Sequence, residues 1–71
     1  MDIEMEIRME AMRQGVSIKS LMAAIGSNPE RFSRARKRDR PFTVTELDRI
    51  SSELHVPLSE LMRRAEQREM G

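Results

Sequence analysis

The sequence predicts an all-α protein, a compact five-helix bundle in a single domain, and three observations carry that prediction. Apolar residues recur three and four apart along most of the chain, the period of a helix with one buried face. Residues that start or stop helices fall between these periodic segments, as in Gly15-Val16-Ser17, Gly26-Ser27-Asn28-Pro29, Pro41-Phe42-Thr43 and His55-Val56-Pro57. A chain of 71 residues is long enough for one modest core, burying roughly 60% of its unfolded surface. Charged residues at 35% with aromatics at 3% would also fit disorder, but the regular spacing and its punctuation argue for a folded chain.

The first helix is expected over residues 2–14. Ile3, Met5, Ile7 and Met9 alternate with Glu4, Glu6 and Arg8 as a half-buried strand would. Met, Glu, Arg, Ala and Gln are nevertheless good helix formers, and only Ile3 and Ile7 are β-branched. As a helix the segment carries two apolar stripes, Ile3/Ile7/Ala11 and Met5/Met9/Met12, on nearly opposite sides. One suits the core and the other is spare. Gly15 then offers a left-handed cap. Ser17 is an N-cap for a second helix over residues 18–25, with Ile18, Leu21, Met22 and Ile25 on one face, and Gly26 stops it. Asn28 caps a third helix that begins at Pro29, where a missing N–H costs nothing, and Phe32 and Ala35 face inward. So short a connection makes residues 17–36 a helix-turn-helix. Thr43-Val44-Thr45-Glu46 has the form of a capping box opening a fourth helix, 44–54, with Val44, Leu47, Ile50 and Leu54 on its apolar face. Pro57 restarts the chain into a fifth helix, 57–66, carrying Leu58, Leu61, Met62 and Ala65, and residues 67–71 are expected as a frayed tail.

Charge is concentrated where the third helix ends. Between Arg31 and Arg40 six cations face Asp39 alone, a balance of +5 against +1 for the whole chain, so the remainder sums to −4. A solvated loop is the ordinary reading of such a run, but confinement to one helix and its following loop points to nucleic acid. Catalysis is not expected: so small a chain has no deep cavity, and no triad or phosphate cradle is present. Without Cys, and with His55 alone, no metal or cofactor site is expected, and the compartment should be reducing. No run approaches the ~20 apolar residues of a membrane span. The acidic start, Met1-Asp2-Ile3-Glu4, has the wrong charge for a secretory signal. A cytoplasmic protein without a small-molecule ligand is the expectation.

In order along the chain stand Gly15-Val16-Ser17, Leu21, Ile25-Gly26, Phe32-Ser33-Arg34, Arg40-Pro41-Phe42-Thr43, Leu47, Ile50 and Leu54-His55-Val56-Pro57-Leu58-Ser59-Glu60-Leu61. This pattern, from about residue 5 to residue 65, resembles the Cro and phage-repressor type of helix-turn-helix domain, the xenobiotic-response-element family with its lambda-repressor-like fold. The resemblance implies a transcriptional regulator of a bacterial cell or phage-infected host. It would bind double-stranded operator DNA, commonly as a dimer, with the second helix across the backbone and the third in the major groove. Some positions depart from the pattern. Met22 stands where a small residue is usual, Ile18 where a phosphate-binding Gln is frequent, Ser27 where an apolar residue follows the turn, and Ala35 where a large aliphatic is common. His55 replaces a helix-ending Gly and tolerates the left-handed conformation better than a β-branched residue would.

On this register Glu30, Arg31 and Arg34 match positions that reach base edges, with Asn28 and Ser33 as lesser candidates. Arg can take guanine O6 and N7 together, and Glu can accept from cytosine N4. Glu30 fits equally well as a favourable charge in the first helical turn. Arg36, Lys37, Arg38 and Arg40 are expected on phosphates, assisted by Ser17, Lys19 and Ser27. A homodimer, weak without DNA, is expected through the fifth helix or the spare stripe of the first, with slight preference for the fifth. The alternatives are a protein-interaction module on the same scaffold and an architectural protein that binds nucleic acid by charge alone.

Overall fold

Four of the five helix starts are occupied by a side chain that satisfies a free backbone N–H, and the fifth follows Pro57; the computed structural model describes residues 2–70 except for the side chain of residue 70. The helices are α1 (Ile3–Gln14), α2 (Ile18–Ala24), α3 (Pro29–Arg36), α4 (Val44–Leu54) and α5 (Leu58–Met70). There is no strand among the described residues, so the alternation at Ile3–Met9 resolves as helix. Asp2 accepts from the Met5 N–H at 3.1 Å, Ser17 from Ser20 at 3.0 Å and Asn28 from Arg31 at 3.1 Å. Thr43 and Glu46 close a capping box, each side chain accepting from the other's backbone N–H, at 3.1 and 2.9 Å. Gly15 (φ 74°) and His55 (φ 59°) end α1 and α4 in the left-handed region.

Helix α1 is the hub, packing against all four others, while α2 also meets α3 and α4, and α4 meets α5. The core joins Ile7 and Ala11 of α1 to Leu21, Met22, Phe32, Ile50, Leu54 and Leu61. Of the two stripes on α1, that of Ile7 and Ala11 is therefore the inward one, with Ile3 half-buried at its start. The other stays outside, with Met5 38% and Met12 70% exposed. Met22 is fully buried, and so is Ala35.

Three expectations are corrected. Val44 is 71% exposed, not part of the core. Along its stripe Leu47 is half-buried and Ile50 and Leu54 are fully buried, so α4 enters the core at a slant and its first turn lies outside. Helix α2 ends at Ala24, one residue early, as Gly26 takes φ 76° and the Ser27 N–H returns to the Met22 carbonyl at 2.8 Å. Residues 67–70 are helical, not frayed, because Arg68 on α5 pairs with the buried Glu6 on α1. Gly71, the last residue of the expected tail, lies outside the described residues.

No helix among the described residues is long and apolar enough to cross a membrane.

Candidate nucleic-acid interface

Asn28 and Pro29 fix where α3 begins, and that sets which of its side chains point outward. Phe32 and Ala35 are buried, whereas Glu30, Ser33, Arg34 and Arg36 are exposed. Past the helix the Arg34 carbonyl accepts from the N–H groups of both Asp39 (3.0 Å) and Arg40 (3.3 Å), folding the basic loop back over the end of α3. Arg38 adopts φ 61° in this turn. The result is a shallow concavity of about 320 Å³ at the N-terminal end of α3, lined by Ser27, Asn28, Glu30, Arg31, Arg34 and Arg40. Six expected site residues are thus brought together.

Arg31 is the exception in kind. Its side chain is only 8% exposed, and its guanidinium is already engaged. Nε and Nη2 donate to the two carboxylate oxygens of Glu46 at 2.8 and 2.7 Å, a bidentate pair. Nη1 donates to the Arg40 carbonyl at 2.6 Å and Nη2 also to the Pro41 carbonyl at 3.0 Å. Its Cζ lies 4.8 Å from the centroid of the Phe42 ring, within cation–π range. The expected role of Arg31 in reading bases is therefore corrected: four of its donor hydrogens are taken by this chain. The Arg31 hydrogen bond is also the main reason that the Glu46 carboxyl is lowered from its ordinary 4.5 to about 2.

The other expected residues are distributed around this centre. Asn28 uses its side-chain oxygen as the cap, which leaves its NH₂ group to donate. Ser17 caps α2 and donates its hydroxyl to Ser20 at 3.0 Å, while Lys19 is exposed and Ser27 half-buried. Arg36 and Lys37 are exposed but do not line the concavity. Arg38 stands apart, in a separate cleft of about 290 Å³ with Asp2, Met5, Ala65, Arg68 and Glu69. Among the described residues, none of Arg34, Arg36, Lys37, Arg38 and Arg40 makes an ion pair. A cation without a local carboxylate keeps its field for an outside anion. The wider depression between α2 and α4, about 630 Å³, sets Asp48 and Glu53 against Arg49 alone, a lining that repels a polyanion.

What sequence reasoning missed is the double use of Glu46. The capping box places Glu46 at the third position of α4, but one of its oxygens both accepts from Thr43 and faces Arg31. A signal was available: an Arg on the third helix and an acid at the start of the fourth, joined by a loop containing Phe42, whose ring can stack on a guanidinium.

No protein-family model, curated protein or solved structure matches this chain.

Proposed function

We propose that this chain binds double-stranded DNA sequence-specifically, as a transcriptional regulator of the Cro and phage-repressor type. Residues Asn28, Glu30, Ser33 and Arg34 of the α2–α3 helix-turn-helix would read base edges. Ser17, Lys19, Ser27, Arg36, Lys37, Arg38 and Arg40 would hold phosphates. The observation that carries this reading is the concavity at the start of α3, where exposed polar side chains stand beside un-neutralised Arg34 and Arg40. Arg31 contributes no base contact in this reading.

One such helix covers few base pairs, and a two-fold pair on half-sites about 34 to 36 Å apart would supply the missing discrimination. Of the two surfaces available for pairing, the fifth helix has Leu61 and Ala65 buried in its own core, whereas Met5 and Met12 on α1 remain exposed. The dimer, or a protein partner in the rival reading, therefore fits α1 better.

Selection from a random-sequence duplex library, with binding measured across a salt series, tests the proposal. An enriched, pseudo-palindromic motif is expected. Salt-dependent binding without enrichment would make this an architectural protein, and no binding to duplex would leave the interaction module.

A further inference from the structure

Helix α3 packs on α1 and α2, but its backbone makes no close approach to α4. Side chains bridge that gap. Arg31 reaches from α3 to Glu46 in the first turn of α4, and on the way takes the carbonyls of Arg40 and Pro41. Phe42 lies against its guanidinium and 6.0 Å from the ring of Phe32. The two carbonyls belong to the segment whose Arg40 side chain lines the concavity together with Arg34. That segment is also tied to α3 by the Arg34 carbonyl and the Phe32–Phe42 contact, and the loop before it by the Arg38 N–H on the Ala35 carbonyl at 3.1 Å.

We infer that Arg31 is a positioning residue, a clamp that closes on Glu46 and the residue 40–41 carbonyls and thereby fixes Arg40 opposite Arg34, setting the shape of the DNA-reading concavity while touching no DNA itself. This rests on the proposed DNA-binding function. The physical advantage is preorganisation: a loop already ordered in the free protein loses less entropy on binding than one ordered by the ligand. A fork of fixed geometry suits the task because it can hold a carboxylate and two carbonyls at once, which a lysine ammonium on a flexible stem does not do in a fixed plane.

A merely structural ion pair would alter melting and leave binding by the folded protein unchanged, so the sign of a charge substitution separates the roles. Glu46→Gln removes a negative charge from a protein whose ligand is a polyanion, and field effects alone predict tighter, more salt-dependent binding. The clamp predicts the reverse. Gln still serves at the third position of a capping box, so α4 keeps its start. The experiment compares the parent, Glu46→Gln, Arg31→Lys, Arg40→Ala and Arg40→Ala/Glu46→Gln on random-sequence duplex across a salt series. Binding is read at a temperature where circular dichroism reports each protein folded. We expect Glu46→Gln and Arg31→Lys to bind roughly three- to tenfold more weakly, with the salt slope shallower by roughly one unit, as for Arg40→Ala. The double variant should bind no more weakly than Arg40→Ala alone, because both changes remove the same contact. Parent-like or tighter binding by either clamp variant, or additive losses in the double, would overturn the inference. Should the parent itself fail to bind duplex, the DNA reading falls, and amide hydrogen exchange then decides the clamp by itself. Exchange at residues 38–42 should quicken in Glu46→Gln and Arg31→Lys relative to α1, and unchanged exchange there would overturn it.

Discussion

Arginines on two sides of this domain sit in opposite electrostatic settings. Along the seam between α1 and α5 they meet acids: Arg68 pairs with Glu6, Arg64 with Glu10 at 2.7 Å and Glu60 at 2.9 Å, Arg13 with Glu10 at 2.6 Å and Arg63 with Glu60 at 2.7 Å. Around α3 and the loop after it, among the described residues, Arg31 alone makes an ion pair, and five other cations make none. The seam holds the fold, because Glu6 and Glu10 are buried and an unpaired buried carboxylate would be costly. The α3 side leaves its charge for something else. Total charge, only +1 here, therefore says little about a surface. Placement of the acids decides which cations remain available.

The largest expected effect removes the core that both regions share. Met22 is fully buried between them, and Met22→Asp would place an unpaired charge there in a domain whose whole stability is roughly 4 to 10 kcal/mol. Loss of the helical circular dichroism signal at 25 °C is expected, and with it both the seam and the basic face of α3. A variant melting like the parent would mean that Met22 lies outside the core and that the α2–α3 register is different.

Acid should loosen the two regions together, since each depends on ionised carboxylates. Hydrogen bonds from Gln14 and then Arg64 lower Glu10, hydrogen bonds from Arg63 and Arg64 lower Glu60 to about 2, and the Arg31 hydrogen bond does the same for Glu46. A folded pKa below the unfolded value stabilises the protein above the unfolded pKa, and that contribution is lost as pH falls through the folded one. Melting temperature should therefore hold steady above the ordinary carboxylate value of 4.5 and decline toward pH 2. The decline should be smaller in Glu10→Gln. A flat profile across that window would mean that the ion pairs add nothing to stability.

How much of this was legible in the sequence depends on how far apart the interacting residues stand. Caps act over three residues, so Asp2 aside, Ser17, Asn28 and Thr43-Glu46 could be read directly, as could the left-handed ends at Gly15 and His55. Helical period marks the two stripes of α1, though not which of them faces inward, and the outward positions of Glu30, Ser33 and Arg34 on α3. Long-range pairing was harder. Glu6 and Glu10 on α1 stand four apart, as do Arg64 and Arg68 on α5, and the observed pairing of Glu6 with Arg68 and Glu10 with Arg64 makes the helices antiparallel. Two matching ladders of opposite charge were visible, but nothing local says that one lies on the other. Arg31 failed for the same reason: on the helix it occupies an outward-looking position, and only the return of Glu46, fifteen residues later, turns it into a buried group.

A matched pair of substitutions separates the two sides of the domain. Arg64→Ala should lower stability by about 1 to 3 kcal/mol, because it takes one partner from the buried Glu10, and leave DNA affinity unchanged. Arg34→Ala should do the opposite, lowering affinity for the selected site by about 1 to 3 kcal/mol with little change on random duplex and none in melting. Melting curves and binding isotherms on both variants check this. Equal losses by Arg34→Ala on both DNAs would reassign that residue to phosphate, and a binding defect in Arg64→Ala would extend the functional surface to the seam.

The smallest effect lies at the border. Arg38 carries the charge of the α3 loop but lines the cleft formed with Asp2, Met5, Arg68 and Glu69, at the ends of α1 and α5. Its φ of 61° is a conformation that costs a non-glycine residue about 1 to 2 kcal/mol. Glycine would relieve that cost while losing more backbone entropy on folding, so Arg38→Gly should stabilise the domain by no more than about 1 kcal/mol. Keeping an arginine where glycine is easier makes sense only if the side chain has a use. If that use is phosphate binding, the same substitution should flatten log K against log salt by roughly one unit, so stability and binding move in opposite directions. If Arg38 belongs to the seam instead, the salt slope stays put and the melting temperature falls, since removing a cation beside Asp2 and Glu69 then outweighs the relieved backbone. Thermal melts and a salt series on this one variant place the boundary between the two regions.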